Sequence, residues 1–157
     1  MAAGKWKLYE YAKEYIGDGT LDLDDATNFK MALFLSTSNC DTLSVGTGVY
    51  GDLTNEHANN NGYTTGGVSL TGEVWTHSSG TVTFDVDNAV WTASGGSIVA
   101  RFAVIYLNAT SNSIVKPLVC VSLLDTTPAN VTATDGNTLT ISIHASGVFT
   151  LSGADSN

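Results

Sequence analysis

The sequence predicts an all-β fold: a single β-sandwich or jelly-roll-like domain preceded by one short N-terminal helix. Three observations carry this. From residue 28 onward, apolar and polar residues alternate with period two in run after run, the pattern of half-buried strands. Gly, Asn and Asp clusters separate the runs and read as turns. Only 13% of the 157 residues are charged and 43% are hydrophobic; Thr, Ser, Asn and Gly fill the difference, as in chains rich in strands and turns. Strands at this spacing indicate a sandwich or jelly roll.

The helix comes first. Leu8, Tyr11, Ala12, Tyr15 and Ile16 recur at helical spacing and make one apolar stripe. Gly17 ends the helix and "GDG" turns the chain. So short a helix is marginal alone, and the stripe needs a surface in its own domain or on a neighbouring subunit. Trp6 and Tyr9 lie off the stripe, which makes both candidate interface residues, since aromatic side chains are enriched at interfaces. In "GDGTLDLDDATN", which follows, Asp18, Asp22, Asp24 and Asp25 surround Leu21 and Leu23. The ligand order of an EF-hand is absent, so the stretch reads as a solvated acidic edge strand. Residues 1–27 are thus an N-terminal helix with an acidic connector, and residues 28–157 the β domain.

The strands follow. "NFKMALFLS" places Phe29, Met31, Leu33 and Leu35 on one face. "GVSLTGEVW" turns Val68, Leu70 and Val74 inward, with Ser69, Thr71, Glu73 and Trp75 opposite. "TVTFDVDNAVW" buries Val82, Phe84 and Val86 and exposes Thr83, Asp85 and Asp87, with Trp91 in the core. "SIVARFAVIYL", "PLVCVSLLD", "NVTATDGNTLTISIHA" and "GVFTLS" complete the set, and Asp135–Gly136 marks a hairpin. A long loop, residues 37–67, separates the first two strands and predicts one helical turn near Leu53–Ala58, capped by Asp52 or Thr54. Loops of this length bind something or lack order, so Tyr50 and Tyr63 within it join Trp75 as candidate interface residues.

Arg101 is the chain's lone arginine and lies in the apolar run 98–107. A buried guanidinium needs a partner, because its desolvation is otherwise costly. Asp85, Asp87 and Glu73 are the candidate carboxylates, and the group reads as a structural salt-bridge clamp.

Several chemistries are disfavoured. A net charge of −9, with four of six basic residues (Lys5, Lys7, Lys13, Lys30) in the first thirty positions, does not suit nucleic acid. No apolar run approaches the about 20 residues of a membrane helix, and the N-terminus lacks a signal-peptide pattern. Cys40 and Cys120 form no ligand motif and read as free thiols. His57, His77 and His144 show no metal-ligand spacing, so no metal or cofactor is expected. There is no nucleophile elbow, HExxH helix or phosphate loop. Asp85 and Asp87 share a strand face as a glycosidase pair would, but acids two apart are ordinary on an exposed strand. The chain does not read as an enzyme.

One set of motifs goes further. "FKMALFLSTSN", "YGDLTNE", "NGYTTGG", "VWTASGGSIVARFAVIY" and "VTATDGNTLTI" together resemble a family of small structural proteins of tailed bacteriophages, from about Lys7 to Leu151. The resemblance implies a virion component assembled in the bacterial cytoplasm, working by protein contacts without catalysis. A head decoration or cement protein comes first, with the major capsid protein or other virion proteins as partners and a dimer or trimer as its own state. A tail or fibre component binding host-surface glycan, with Trp75 stacked on sugar rings, is the alternative.

Overall fold

The computed structural model describes residues 4–24, 28–126 and 129–153. β1 (Lys7–Leu8) leads into helix α1 (Glu10–Gly17), and β2 (Phe29–Phe34) follows. After the insertion, which contains a 3-10 turn at Tyr50–Asp52, come β3 (Val68–Ser69), β4 (Val74–Ser78), β5 (Thr81–Asp85) and β6 (Ala89–Thr92). Next are β7 (Ile98–Ala100), β8 (Phe102–Leu107), β9 (Thr110–Ser111), β10 (Ile114–Val115) and β11 (Leu118–Leu123). β12 (Val131–Ala133), β13 (Thr138–Ile141) and β14 (Phe149–Ser152) end the chain's regular structure among the described residues. The protein is mostly β, with a short helix near the N-terminus and strands paired antiparallel.

The largest sheet has the order β1-β11-β8-β2-β3, and a three-stranded sheet runs β14-β5-β4. β12 pairs β7, β13 pairs β6, and β10 pairs β9. Strands β2, β8 and β11 are buried on both faces, which explains why their sequences are almost continuously apolar. Alternation predicted one buried face on β2, yet Ala32 and Phe34 are as buried as Phe29, Met31 and Leu33. Two different coverings account for this. Phe29 meets Phe84 of β5 edge-on at 5.5 Å, while Phe34 meets Tyr50 of the insertion at 6.3 Å.

The helix forms where predicted, and Ala12 and Tyr15 are its buried residues. Leu8 is not on it; this residue pairs with Cys120 in the edge ladder β1–β11. Helix α1 packs on β11, and Tyr9, Ala12, Tyr15, Leu21 and Leu23 join one core with the strands. Leu21 and Leu23 are buried while Asp22 and Asp24 are exposed, as the alternation requires. No ladder forms there, however. Asp18 and Asp22 each bend the chain by accepting an amide two residues on, Thr20 N–H at 2.8 Å and Asp24 N–H at 3.1 Å, the local bonding that Asp offers in place of a strand. Asp25 lies outside the described residues.

Two expected strands and one expected hairpin are divided. "GVSLTGEVW" divides into β3 and β4, so Leu70 is buried but Val74 is 44% exposed. "TVTFDVDNAVW" keeps Phe84 and Val86 inside, but Val82 is only half-buried, as are Thr83 and Asp85, and β5 and β6 pair with different strands. Asp135–Gly136 does make a turn, closed by Asn137 N–H to the Thr134 carbonyl at 2.9 Å. Its arms separate instead of forming a hairpin, β12 going to β7 and β13 to β6. Asp135 caps the arrangement by accepting Gly95 N–H at 2.8 Å.

Candidate functional site

Strand β3 reaches only Lys30 and Met31 of β2. From Leu33 onward that edge is taken by the insertion. Leu35 N–H donates to the Asn55 carbonyl at 3.0 Å, His57 N–H donates to the Leu33 carbonyl at 2.9 Å, and Glu56 bridges Phe34. Leu33 N–H is taken by the Tyr63 hydroxyl at 3.0 Å. The loop therefore finishes an edge that would otherwise leave buried backbone groups unpaired.

Glu56 is the centre of this clasp. Its Oε1 accepts the Tyr63 hydroxyl at 2.5 Å and Gly66 N–H at 2.6 Å, and its Oε2 accepts the Tyr50 hydroxyl. Tyr50 stacks on Tyr106 at 4.3 Å and 25°, and Tyr106 donates to the Gly66 carbonyl at 2.8 Å. The Lys116 ammonium lies 5.5 Å from the centre of the Tyr50 ring. Burial, and then the bond to Glu56, hold the Tyr50 and Tyr63 phenols well above the ordinary tyrosine range. Burial and the Glu56 charge push Tyr106 up to about 12. All three phenols are hydrogen-bond donors at neutral pH. The sequence reading missed Glu56. Its signal was a lone carboxylate set six and seven residues from two tyrosines, which is legible only once those tyrosines are known to be buried.

A second knot lies one turn earlier. Asp52 Oδ2 accepts Thr47 N–H at 2.7 Å and Val49 N–H at 3.3 Å. Asn39 donates to the Asp52 carbonyl at 2.9 Å and accepts Thr54 N–H, also at 2.9 Å. Tyr15 fastens this knot to the helix through the Thr47 carbonyl at 2.7 Å. The helical turn expected at Leu53–Ala58 is therefore a 3-10 turn at Tyr50–Asp52. Asp52 bonds amides before it and Thr54 bonds Asn39, so neither caps a following helix.

The five candidate interface aromatics divide. Tyr9 is fully buried and donates to the Cys40 carbonyl at 2.6 Å. Tyr63 is 2% exposed. Neither has surface to offer a partner, because each lies under chain that its sequence position did not disclose. Trp6, Tyr50 and Trp75 are half-buried. The Trp75 ring sits 6.2 Å from Phe149 and lines an open cleft of about 240 Å³ with Ile16, Leu21, Leu23, Asp22 and Asp24.

Arg101 is not inside one strand. It is the bend between β7 and β8, where the chain leaves the β12 pairing and enters the five-stranded sheet. Its backbone is fixed by Arg101 N–H to the Phe34 carbonyl at 2.8 Å and by Leu124 N–H to its own carbonyl at 3.0 Å. The guanidinium Nη1 donates to the Asp125 carbonyl at 3.0 Å and to the Ala129 carbonyl. The group ties the β11–β12 connection to this bend. Asp85, Asp87 and Glu73 are engaged elsewhere. Asp87 accepts the Thr71 hydroxyl at 2.9 Å, Asp85 accepts Val86 N–H at 2.9 Å, and half-buried Glu73 has an Oε1 without a described partner. The guanidinium's described acceptors are carbonyls of the β11–β12 connection; β5 and β8 stand in different sheets, and adjacency in sequence does not make Asp85 a lateral neighbour. We expect Arg101→Met to lower stability by about 1.5–3 kcal/mol, the range for hydrogen bonds that involve a charged group, read as a lower urea midpoint at unchanged slope.

Trp91 is a core residue, 3% exposed, with an indole N–H that finds no described acceptor. Cys40 and Cys120 are buried free thiols; burial pushes Cys40 up to about 12 and Cys120 well above the usual thiol range. His57 is buried, 6% exposed, with Nδ1 2.8 Å from the Ala58 carbonyl. Among the described residues no three His, Cys, Asp or Glu side chains converge to hold a metal ion.

Comparison with protein-family models, with curated proteins and with solved structures found no match. The functional reading therefore rests on the motifs and on this geometry.

Proposed function

We propose that the chain is a structural protein of a tailed-bacteriophage virion that decorates or cements the capsid through contacts with the major capsid protein, without catalysis. The motif set from Lys7 to Leu151 is the primary support. The observation in the fold that favours it is the clasped insertion. Residues 37–67 are largely without regular structure, yet Glu56, Asp52 and Asn39 fix them by hydrogen bonds. A surface set in advance loses less conformational entropy on docking, which suits a protein that acts by position. Repetition over a symmetric shell would multiply modest contacts into strong retention. In this reading the five-stranded and three-stranded sheets, joined by the Phe29–Phe84 contact, are the two layers of a β-sandwich.

The Trp75 cleft favours one second reading. An aromatic wall with Asp22 and Asp24 beside it is the chemistry that stacks a sugar ring and orients its hydroxyls, as a tail or fibre component would. Cryo-electron microscopy of purified particles separates the two. Copies over the head shell in numbers comparable to the major capsid protein are expected. A few copies on the tail would replace the first reading with the second, and absence from the particle would overturn both.

A further inference from the structure

The sheet edges of this protein are not alike. In the five-stranded sheet the edge strands β1 and β3 are two residues each, and β1 carries Lys7 with Lys5 just before it. Short strands and lysines are the usual means of keeping an edge from pairing with another chain. β4 has neither. It is five residues long, reads VWTHS, and pairs with β5 without a bulge. No backbone bond to β4 from outside its own sheet occurs among the described residues.

The hairpin geometry says which backbone groups that edge presents. Ser79 and Gly80 both have positive φ, 49° and 79°, as the two central residues of a type I′ turn do. Ser78 and Thr81 close the turn and are therefore a hydrogen-bonded pair, and such pairs alternate along an antiparallel ladder. Thr76 with Thr83 and Val74 with Asp85 are the next bonded pairs. The N–H and C=O groups of Trp75 and His77 consequently point away from β5, into the open edge.

We propose that β4 is a homodimer interface, pairing antiparallel with β4 of a second copy about a two-fold axis at Thr76. Full overlap of the strand on itself puts its middle residue on the axis. Trp75 of each copy then exchanges N–H···O bonds with the partner's His77, and two three-stranded sheets become one continuous sheet. The charge along the hairpin permits a second copy at this edge, with Asp22 and Asp24 set back in the cleft beside Trp75. Two chains of net charge −9 repel, so a self-contact needs a stretch free of carboxylates, and residues 74–84 contain none. In this register Glu73 falls opposite the partner's Ser79, so no acid meets an acid. The exposed Val74 lies opposite the partner's Ser78, at the margin of the new sheet.

The interface rests on the proposed assembly role for its purpose, and its test is separate from the particle experiment. Light scattering on the full chain is expected to give twice the chain mass of 16.4 kDa. Thr76→Lys and Thr76→Asp each place like charges face to face across the axis and are expected to halve the mass, with far-UV circular dichroism unchanged because Thr76 is exposed. Mixing the two variants is expected to restore the dimer, an outcome that a merely structural role for Thr76 does not produce. Oxidised Thr76→Cys is expected to trap it covalently, position 76 being a non-hydrogen-bonded pair where side chains come closest. A wild-type chain that stays monomeric and is not trapped through Thr76→Cys, a Thr76→Lys dimer, or a lysine and aspartate mixture that remains monomeric overturns the proposal. So does growth beyond a dimer, which points instead to head-to-tail addition of β4 onto β14.

Discussion

Glu56→Ala is expected to lower the free energy of unfolding by about 3–5 kcal/mol, measured by urea denaturation. The carboxylate is the common acceptor for the Tyr50 and Tyr63 hydroxyls and for Gly66 N–H. Removing it leaves all three donors, and an unpaired buried donor costs about 1–3 kcal/mol. Tyr63 carries most of this, being 2% exposed, whereas half-buried Tyr50 can turn to water. The loss is not confined to the insertion, since Tyr63 also accepts Leu33 N–H of central strand β2. Glu56→Gln keeps the size and one good acceptor and is expected to lose less than half as much. A cost of Glu56→Ala below about 0.5 kcal/mol, the range of an ordinary surface change, would show that the insertion does not depend on the clasp.

Gly67→Ala is expected to be at least as damaging, about 3 kcal/mol or more, or to abolish soluble expression. Gly67 has a φ of 73°, and a Cβ there would lie 1.8 Å from the Met31 carbonyl oxygen and 2.5 Å from its carbon. Neither atom can yield cheaply, because both belong to the backbone of β2, which is paired on both sides and buried on both faces. Gly80→Ala is the matched control. Its φ is 79° with nothing within 4 Å of the added carbon, so it carries only the left-handed backbone cost of about 1–2 kcal/mol. Equal losses at the two positions would mean that the close approach of the insertion to β2 contributes nothing.

Much of the fold was legible in advance, and the misreadings share one cause. Alternation identified the buried residues of the β5 run, Phe84 and Val86, and the inward Leu21 and Leu23. Periodicity located the helix. What alternation cannot express is a change of sheet. The runs around Arg101, Thr71–Glu73 and Asp87–Asn88 are continuous in pattern, yet each is divided between two sheets. Side-chain polarity records burial, and burial continues across a bend where the hydrogen-bonding partner changes. That is also why Asp85, Asp87 and Glu73 looked like partners of Arg101 and are not. Their proximity was inferred from order along the chain, whereas the guanidinium's described acceptors are carbonyls of the β11–β12 connection.

The candidate interface was the least legible. A tyrosine in a polar loop carries the same letter whether it faces water or a buried carboxylate. Tyr9 was read as an interface residue because it lies off the helix stripe, and Tyr63 because it sits in a long loop. Their neighbours in space are Leu33, Glu56 and Cys40.

By itself, then, the sequence determined the class of the protein: β-rich, acidic, with one short helix and a long polar insertion. These follow from composition and from local periodicity, which each segment carries without reference to any other. The tertiary structure alone decided that the insertion completes the edge of β2, that Arg101 holds a bend between sheets, and that β4 is, among the described residues, a long edge without a second partner strand. Each of these is a pairing between residues distant in sequence. A hydrogen bond or a steric contact of that kind is set by where the backbone brings the two groups, and no local pattern encodes it.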